Sequence, residues 1–338
     1  MRLYGGIDLH SNNSVTALVD GEGCEAYCER LPNDLGVIVR ELGRFREAVV
    51  GIVVESTFNW YWLVDGLMEA GYRMHLANTT AIQQYSGLKH GDDQSDALWL
   101  AEMLRLGVLR EGYIYPKAER GLRDLLRQRG RLVQQRTGQI LSIQNQVHRS
   151  TGKRLSGNAI KALEQEQVGG LVSDPNLVLS IVANLGVLGC LSEHIRSLER
   201  AVLKQAKPRP EFRWLQTVPG IGEVLGLVVL LETGEVRRFA AAGNFSSYCR
   251  CVASQRLSNG KRKGKGNVKN GNRYLAWAFV EAAHFAIRYY PVIQRFYQRK
   301  EARTNAVVAL KTVAHKLARA SYYVLRDQVP FEMTKSFG

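Results

Sequence analysis

The sequence predicts an α/β N-terminal domain built on a mixed sheet, followed by a helical arm and a mainly α C-terminal domain. Three observations carry this. Three strand-like segments precede the first helix signal, and helix and strand then alternate to about residue 77. The run Val49-Val50-Gly51-Ile52-Val53-Val54 is apolar throughout and rich in β-branched residues, which suits a buried strand parallel to its neighbours. Beyond residue 112, long helical periodicities replace the strand signals.

Leu3–Asp8 reads as the first strand. It turns through His10-Ser11-Asn12-Asn13 into a second strand, Ser14–Asp20. Gly21-Glu22-Gly23 is a further turn before a third strand near Glu25–Leu31. Asn33-Asp34 can cap a helix over roughly 35–46. Val49–Val54 is the buried strand, a helix over about 59–70 ends at Gly71, and Tyr72–Ala77 is a fifth strand. A helix is expected over 94–106. Residues 117–150 read as a long basic helix in which Leu126, Val133, Ile140 and Val147 recur every seven residues. Leu122 and Ile143 take the complementary position, which Arg129 and Arg136 interrupt, giving a short coiled-coil seam. After a break at Gly152–Gly157, a second apolar helix spans about 176–206 and Pro208-Arg209-Pro210 closes it. The domains expected are therefore 1–112, an arm at 113–210 and a helical domain at 211–338.

With 338 residues, the chain can bury two or three cores. No apolar stretch long enough for a membrane span and no cleavable leader are expected, so no membrane partner and a cytoplasmic location follow. Five cysteines (Cys24, Cys28, Cys190, Cys249, Cys251) form no disulfide framework for this length, and their spacing is a weak zinc signal. The net charge of +15 is unevenly placed: residues 1–110 carry −6 and residues 111–338 carry +21. An acidic half beside a strongly basic one points to a metal site and a polyanion-binding surface.

Four acids carry the metal reading. Asp8 ends the first strand and Glu55 ends the buried strand, so both fall at carboxyl ends of adjacent strands, where open α/β sheets place ligands. Asp93 and Asp96 share one face at the start of the next helix. Asp92 competes with Asp93, being four residues from Asp96, and local pattern does not separate them. Such carboxylates suit hard cations, Mg²⁺ or Mn²⁺, and two ions about 4 Å apart clamp the attacking and leaving oxygens of a phosphodiester.

Between Val236 and Val280 there is no acidic residue, while ten are basic: Arg237, Arg238, Arg250, Arg256, Lys261, Arg262, Lys263, Lys265, Lys269 and Arg273. Within it, Leu257–Asn267 alternates glycine with cations, a flexible loop able to mould onto a phosphate backbone. Apolar helices at Ala240–Tyr248 and Tyr274–Tyr290 flank it. Ser258 opens the loop and is a candidate nucleophile toward phosphorus; Ser246, Ser247 and Ser254 are equally available on local chemistry. Upstream, Thr217–Gly226 resembles the turn of a helix-hairpin-helix, in which Gly220 and Gly222 would expose backbone N–H groups to a phosphate; a generic tight turn has the same signature.

Taken in order, these segments resemble the DEDD-type transposases of the insertion-sequence 110 family, relatives of Piv-type DNA invertases. The N-terminal likeness rests on Gly6-Ile7-Asp8, Val54-Glu55-Ser56-Thr57, Gly87-Leu88, Asp93-Gln94-Ser95-Asp96-Ala97 and Leu100-Ala101-Glu102. The C-terminal likeness rests on Pro219-Gly220-Ile221-Gly222, Phe239, Phe245, Tyr248, Ser258, Gly260-Lys261, Lys269–Leu275 and the ending Tyr323–Phe331. The resemblance implies a RuvC-like (RNase H fold) N-terminal domain, a coiled-coil arm and a helical transposase domain. It implies a recombinase with a divalent metal held by Asp8, Glu55, Asp93 and Asp96 and a serine nucleophile at Ser258. It further implies donor and target DNA, a structured bridge RNA, a homo-oligomer (dimer or tetramer), and a nucleoid-associated place in a bacterial or archaeal cytoplasm. Departures fall near the serine: the family's Ser-Gly is Ser258-Asn259-Gly260, and its Gly-Leu-x-Pro is Arg250-Cys251-Val252-Ala253. The Lys-Thr before the third acid is Gly91-Asp92. The competing enzymatic reading is a RuvC-like nuclease that hydrolyses branched DNA, with serine and basic domain used only for binding. The chain has no Gly-x-x-x-x-Gly-Lys-Ser/Thr loop, so the energy for rejoining strands must come from conserving the phosphodiester.

Overall fold

The computed structural model describes residues 1–78, 92–252, 255–265 and 270–338, with Gln255–Ser258 and residues 262–265 described by their backbone. Gly87-Leu88, Ser254 and Lys269 lie outside the described residues. Two compact units divide the chain, Met1–Lys117 and Ala118–Gly338.

Unit 1 is a five-stranded mixed sheet. Its strands are β1 (Leu3–Leu9), β2 (Asn13–Val19), β3 (Glu25–Pro32), β4 (Val49–Glu55) and β5 (Met74–Ala77), in the order β3-β2-β1-β4-β5. The first three are antiparallel, and β4 and β5 run parallel to β1. Alternation along the strands separates two layers. Leu3, Ile7 and Leu9, with Ile52 and Val54, pack on α1 (Leu35–Gly43) and α2 (Tyr61–Glu69) through Ile38, Leu42, Leu63 and Leu67. On the opposite face Val15, Ala17 and Val53 meet α3 (Asp93–Arg105) through Ala97 and Leu100. Asp34 caps α1, its side chain accepting from the Val37 amide.

One glycine decides how closely α3 approaches. A Cβ built at Gly6 would lie 2.1 Å from the carbonyl oxygen of Ala97 and 2.6 Å from the Ala101 nitrogen. Only a residue without a side chain lets the helix backbone rest on β1.

Unit 2 begins with two long helices, α4 (Lys117–Thr151) and α6 (Pro175–Ala206), joined through the short α5 (Gly157–Lys161) and a 3-10 turn at Gln165–Gly170. The 35 residues of α4 extend about 50 Å at 1.5 Å per residue. The Nε atom of Arg129 donates to Glu199 Oε1 at 2.7 Å, and Asn184 Nδ2 donates to Ser142 Oγ at 3.4 Å. Low positions on α4 thus meet high positions on α6, so the pair is an antiparallel hairpin. The heptad seam is divided. Ile140, Ile143 and Val147 pack with Ile181, Leu185 and Leu188 of α6, whereas Leu122 and Leu126 join a separate core below. Val133 is half-buried between the two clusters.

One expectation about α6 is corrected. Residues Pro175–Ser192 carry no charge, and α6 is long and apolar enough, by length and composition, to cross a membrane. Scattered Asn, Ser and Gly hide that run from a reading that counts only large apolar side chains. Here Ile181, Leu185 and Leu188 are buried, while Leu179 (70 % exposed) and Val187 (48 %) face outward.

The rest of unit 2 is a helical core: α7 (Pro210–Leu215), α8 (Glu223–Thr233), α9 (Ala242–Tyr248), α10 (Arg273–Tyr289), α11 (Pro291–Arg303), α12 (Ala306–Asp327) and α13 (Met333–Phe337). Phe212, Phe245, Phe279 and Leu317 lie at its centre. Every residue of α8 from Leu225 to Thr233 is buried. The segment expected as a flexible loop is a hairpin, β6 (Gln255–Ser258) paired antiparallel with β7 (Lys261–Lys265). The reason is the Asn259-Gly260 turn, whose φ angles of 50° and 71° are both left-handed, the pattern a two-residue type I′ turn requires.

Candidate active site and basic hairpin

Strand parity sets the acidic site. Gly6 and Val53 are register partners facing α3, and Ile7 pairs with Val54, so the next residues, Asp8 and Glu55, end neighbouring strands on that same face. The first turn of α3, resting on Gly6, carries Asp93 and Asp96. Asp92 is spent elsewhere: it is the N-cap, its Oδ1 accepting from the Ser95 amide at 3.0 Å and the Ser95 hydroxyl at 2.9 Å.

His10, not foreseen from sequence, sits inside this cluster. Its Nε2 lies 3.1 Å from Asp8 Oδ2 and 3.2 Å from Asp93 Oδ1. Arg30 Nη2 donates to Asp93 Oδ2 at 2.7 Å and its Nη1 to Asn13 Oδ1 at 2.8 Å. One donor atom from each of Asp8, His10 and Asp93 falls within 4.8 Å of the other two, close enough to share one cation. The electrostatics are those of crowded acid. Burial pushes the Asp8 carboxyl up; His10 opposes this, and the charges of Asp96, Glu55 and Asp93 push it further up. Asp93 is held low, chiefly by its hydrogen bond from Arg30. The carboxylate oxygens suit the hard Mg²⁺ or Mn²⁺ ions expected; the His10 imidazole, a softer donor that Mg²⁺ does not favour, lies between Asp8 and Asp93 as their neighbour. The signals for His10 and Arg30 were weak: His10 is two residues after Asp8, and Arg30 reaches the site only through strand pairing.

The basic region divides into structural and outward cations. Arg238 lies 4.1 Å over the Phe239 ring and 4.5 Å over Tyr248, and its Nε donates to the Thr233 carbonyl. Arg250, itself at φ 55°, donates to the carbonyls of Asn270 and Gly271 at 2.9 and 3.0 Å. Arg237, Lys261 and Arg273 are exposed. Arg256, Arg262, Lys263 and Lys265 belong to the hairpin strands, and Ser258 is the last residue before its turn, paired with Lys261. Gly220 is committed to packing, since a Cβ there would lie 2.0 Å from the Ala282 carbonyl oxygen of α10. Gly222 is the exposed N-cap of α8, followed by Glu223 in its first turn.

A buried clamp joins α4, α8 and the N-terminus of α10. The Glu232 carboxylate of α8, 3 % exposed, accepts two hydrogen bonds from Arg127 of α4, at 2.6 and 2.7 Å, and one from Asn272 Nδ2 at 2.7 Å. Asn272 Oδ1 caps α10 through the Tyr274 and Leu275 amides, while its own amide donates to the Tyr248 carbonyl. A Cβ at Gly271 would meet that carbonyl oxygen at 2.5 Å. Burial also pushes the Cys251 thiol up to about 12 and the Cys249 thiol well above its usual range, so neither thiol favours the thiolate a zinc site needs.

Comparison with known proteins matches two family profiles to these same regions. One described as Transposase, of the IS110 DEDD type, covers residues 5–150, and one described as Transposase IS116/IS110/IS902 family covers residues 213–298. An uncharacterized 43.6 kDa protein of insertion element IS110 from Streptomyces coelicolor is 25 % identical over 182 residues, 53 % of this chain and 44 % of that protein. The transposase for insertion sequence element IS1111A from Coxiella burnetii is 24 % identical over 243 residues, 68 % of this chain and 63 % of that protein. The chain therefore spans about half of the first relative and less than two thirds of the second. With the acids and Arg127 inside one matched region and the hairpin, Glu232 and Asn272 inside the other, the chain belongs to the IS110 family of transposases.

Proposed function

We propose that the chain is a DNA recombinase of an insertion sequence, cutting and rejoining donor and target DNA by phosphoryl transfer. The observation that carries this is the meeting of Asp8, His10 and Asp93 on one sheet face, with Glu55 and Asp96 raising the Asp8 carboxyl by their charge. Strand order β3-β2-β1-β4-β5, with two acids at strand ends, supports the RuvC-like reading of unit 1. Asp8, Glu55, Asp93 and Asp96 would hold Mg²⁺ or Mn²⁺, which supplies Lewis-acid stabilisation of phosphate charge. His10 and Arg30 orient Asp8 and Asp93, and the packing of α3 on Gly6 sets the position of the helical pair.

Ser258 is the proposed nucleophile. Its hydroxyl oxygen attacks a DNA phosphorus, the bond to the leaving deoxyribose oxygen breaks, and that oxygen takes up a proton. The phosphoserine ester keeps the bond energy until a second DNA hydroxyl displaces serine. Support comes from its place at the tip of a cationic hairpin and from the family resemblance. Lys261 and the hairpin arginines and lysines would neutralise phosphate. A structured bridge RNA is the proposed guide, supported by the resemblance and by the +21 charge beyond residue 110. Assembly into a dimer or tetramer through the arm at 113–210 is proposed from the outward apolar side chains Leu141, Leu179 and Val187.

The test is a suicide substrate carrying a nicked DNA end. Wild-type protein with Mg²⁺ should form a covalent protein–DNA adduct, and Ser258→Ala should bind DNA yet form none. Cleavage by Ser258→Ala at the wild-type rate, with no adduct in either protein, would replace this reading with the hydrolytic nuclease. An adduct that survives Ser258→Ala and vanishes in Ser254→Ala would move the nucleophile.

A further inference from the structure

Helix α10 buries one face and leaves the other exposed, where Arg273 touches only its neighbour Tyr274, among the described residues, by a 3.1 Å hydrogen bond and a ring contact. Leu275, Ala278, Phe279, Ala282, Ala283 and Ala286 form its buried side. On the other side Arg273, Trp277, Glu281, His284 and Arg288 follow one another at spacings of four, four, three and four, which align them on a single helical stripe holding two arginines and one acid. Phe285 and Tyr289 form the adjoining row, their rings parallel within 9° and 6.4 Å apart. Trp277 is 44 %, Phe285 45 % and Tyr289 61 % exposed. The Arg288 guanidinium lies 5.3 Å over the Tyr289 ring. Among the described residues, no carboxylate pairs with Arg273, His284 or Arg288. Glu281, partly exposed, is the one acid in this stretch of the helix.

We infer that this stripe binds unpaired DNA, with bases stacked on Trp277, Phe285 and Tyr289 and the backbone phosphates held by Arg273 and Arg288. Three large rings exposed on one soluble helix need a ligand that covers them. Flanking cations without carboxylate partners make that ligand an anion, and a chain of flat bases joined by phosphates has both properties. Duplex DNA does not fit, because its bases present only edges in the grooves. The stripe is continuous with the acid-free segment: α10 starts at Arg273, directly after the Asn272 cap. The choice of DNA rests on the recombinase reading, since strand exchange exposes single strands; the stacking surface itself does not depend on it.

The test compares the full chain with a variant carrying Trp277→Ala, Phe285→Ala and Tyr289→Ala, using fluorescence anisotropy. The probes are a short single-stranded DNA, an abasic DNA of equal length and charge, and an RNA of the same sequence. The wild type should prefer the DNA with bases over the abasic strand by about 5–150-fold for each stacked base. The triple variant should bind both DNAs alike, with its salt dependence unchanged. Retained discrimination in the triple variant overturns the proposal and, if its oligomeric state also changes, assigns the stripe to a second copy of the chain. Loss of RNA binding with DNA discrimination intact likewise overturns it. Should the triple variant misfold, the single Tyr289→Ala variant and protection of Trp277 from iodide quenching by single-stranded DNA decide the matter. Adduct formation by the same preparations is scored separately, so a failed recombinase reading leaves the stacking result interpretable.

Discussion

The acidic site of unit 1 and the basic hairpin of unit 2 are built on opposite plans. In unit 1, register places the groups: adjacent parallel strands end in Asp8 and Glu55, and a helix resting on Gly6 supplies Asp93 and Asp96. In unit 2 the hairpin is two short strands closed by the Asn259-Gly260 turn, while Arg250 and the Arg127–Glu232–Asn272 clamp fix the helical core at the start of α10. A site made of like charges needs a rigid frame because its members repel. A hairpin of like cations is held by its own ladder and turn.

The sharpest way to break this comparison is at the acids. Asp8→Asn and Asp96→Asn should each lower Mg²⁺-supported DNA cleavage by on the order of 10²–10³ or more. Gel-shift affinity should stay within about twofold, because the proposed phosphate contacts are the cations of unit 2, not the acids. Equal loss of binding and cleavage would mean the two functions are not divided between the units.

The clamp gives the next largest effect, now on stability. Arg127→Ala leaves the Glu232 carboxylate buried without its bidentate partner, at a cost of about 3–5 kcal/mol. Urea unfolding followed by Trp fluorescence should report it. Replacing Glu232 by Gln, which keeps an acceptor for Asn272, should cost less. An Arg127→Ala protein as stable as wild type would show that the Arg127–Glu232 pair adds nothing to the stability of unit 2.

Gly6→Ala tests the frame of unit 1. The added methyl meets the Ala97 carbonyl, so α3 must shift, with about 1–3 kcal/mol of lost stability. Because the same shift moves Asp93 and Asp96 away from Asp8, the midpoint of cleavage activity in a Mg²⁺ titration should rise as well. A stability loss with an unchanged midpoint would separate helix packing from the site.

The smallest effect distinguishes two acids of one cluster. Folding raises the Asp8 pKa, so its destabilising contribution grows as pH climbs from the unfolded value and is complete above the raised one. The Asp93 pKa is lowered, so its contribution is stabilising, present above the unfolded value and lost as pH falls through the folded one. Asp8→Asn should therefore raise the metal-free Tm at pH 7, and Asp93→Asn should lower it. Added Mg²⁺ should stabilise wild type and do little for Asp8→Asn, which differential scanning calorimetry can read.

By itself the sequence determined the strands and helices of unit 1, the two arm helices, the acidic and basic halves, and Asp8 and Glu55 as strand-end carboxylates. These are local properties: β-branched runs, heptad spacing and charge content are set by neighbours along the chain. The Asn-Gly pair after Ser258 was a local signal too, and its hairpin was legible to anyone weighing turn chemistry over glycine content. Tertiary structure decided the rest. Asp93 and Asp92 are adjacent and alike, and only the helix start makes one a cap for Ser95 and turns the other toward His10. Arg238 and Arg250 count as cations of a binding loop until their contacts with Phe239, Tyr248 and the loop carbonyls are seen. Gly220, read as a phosphate-contacting turn or a generic tight one, also lies where α10 passes too close for any side chain. In each case the residue's role is set by a group distant in sequence, and a linear pattern carries no record of what will lie against it.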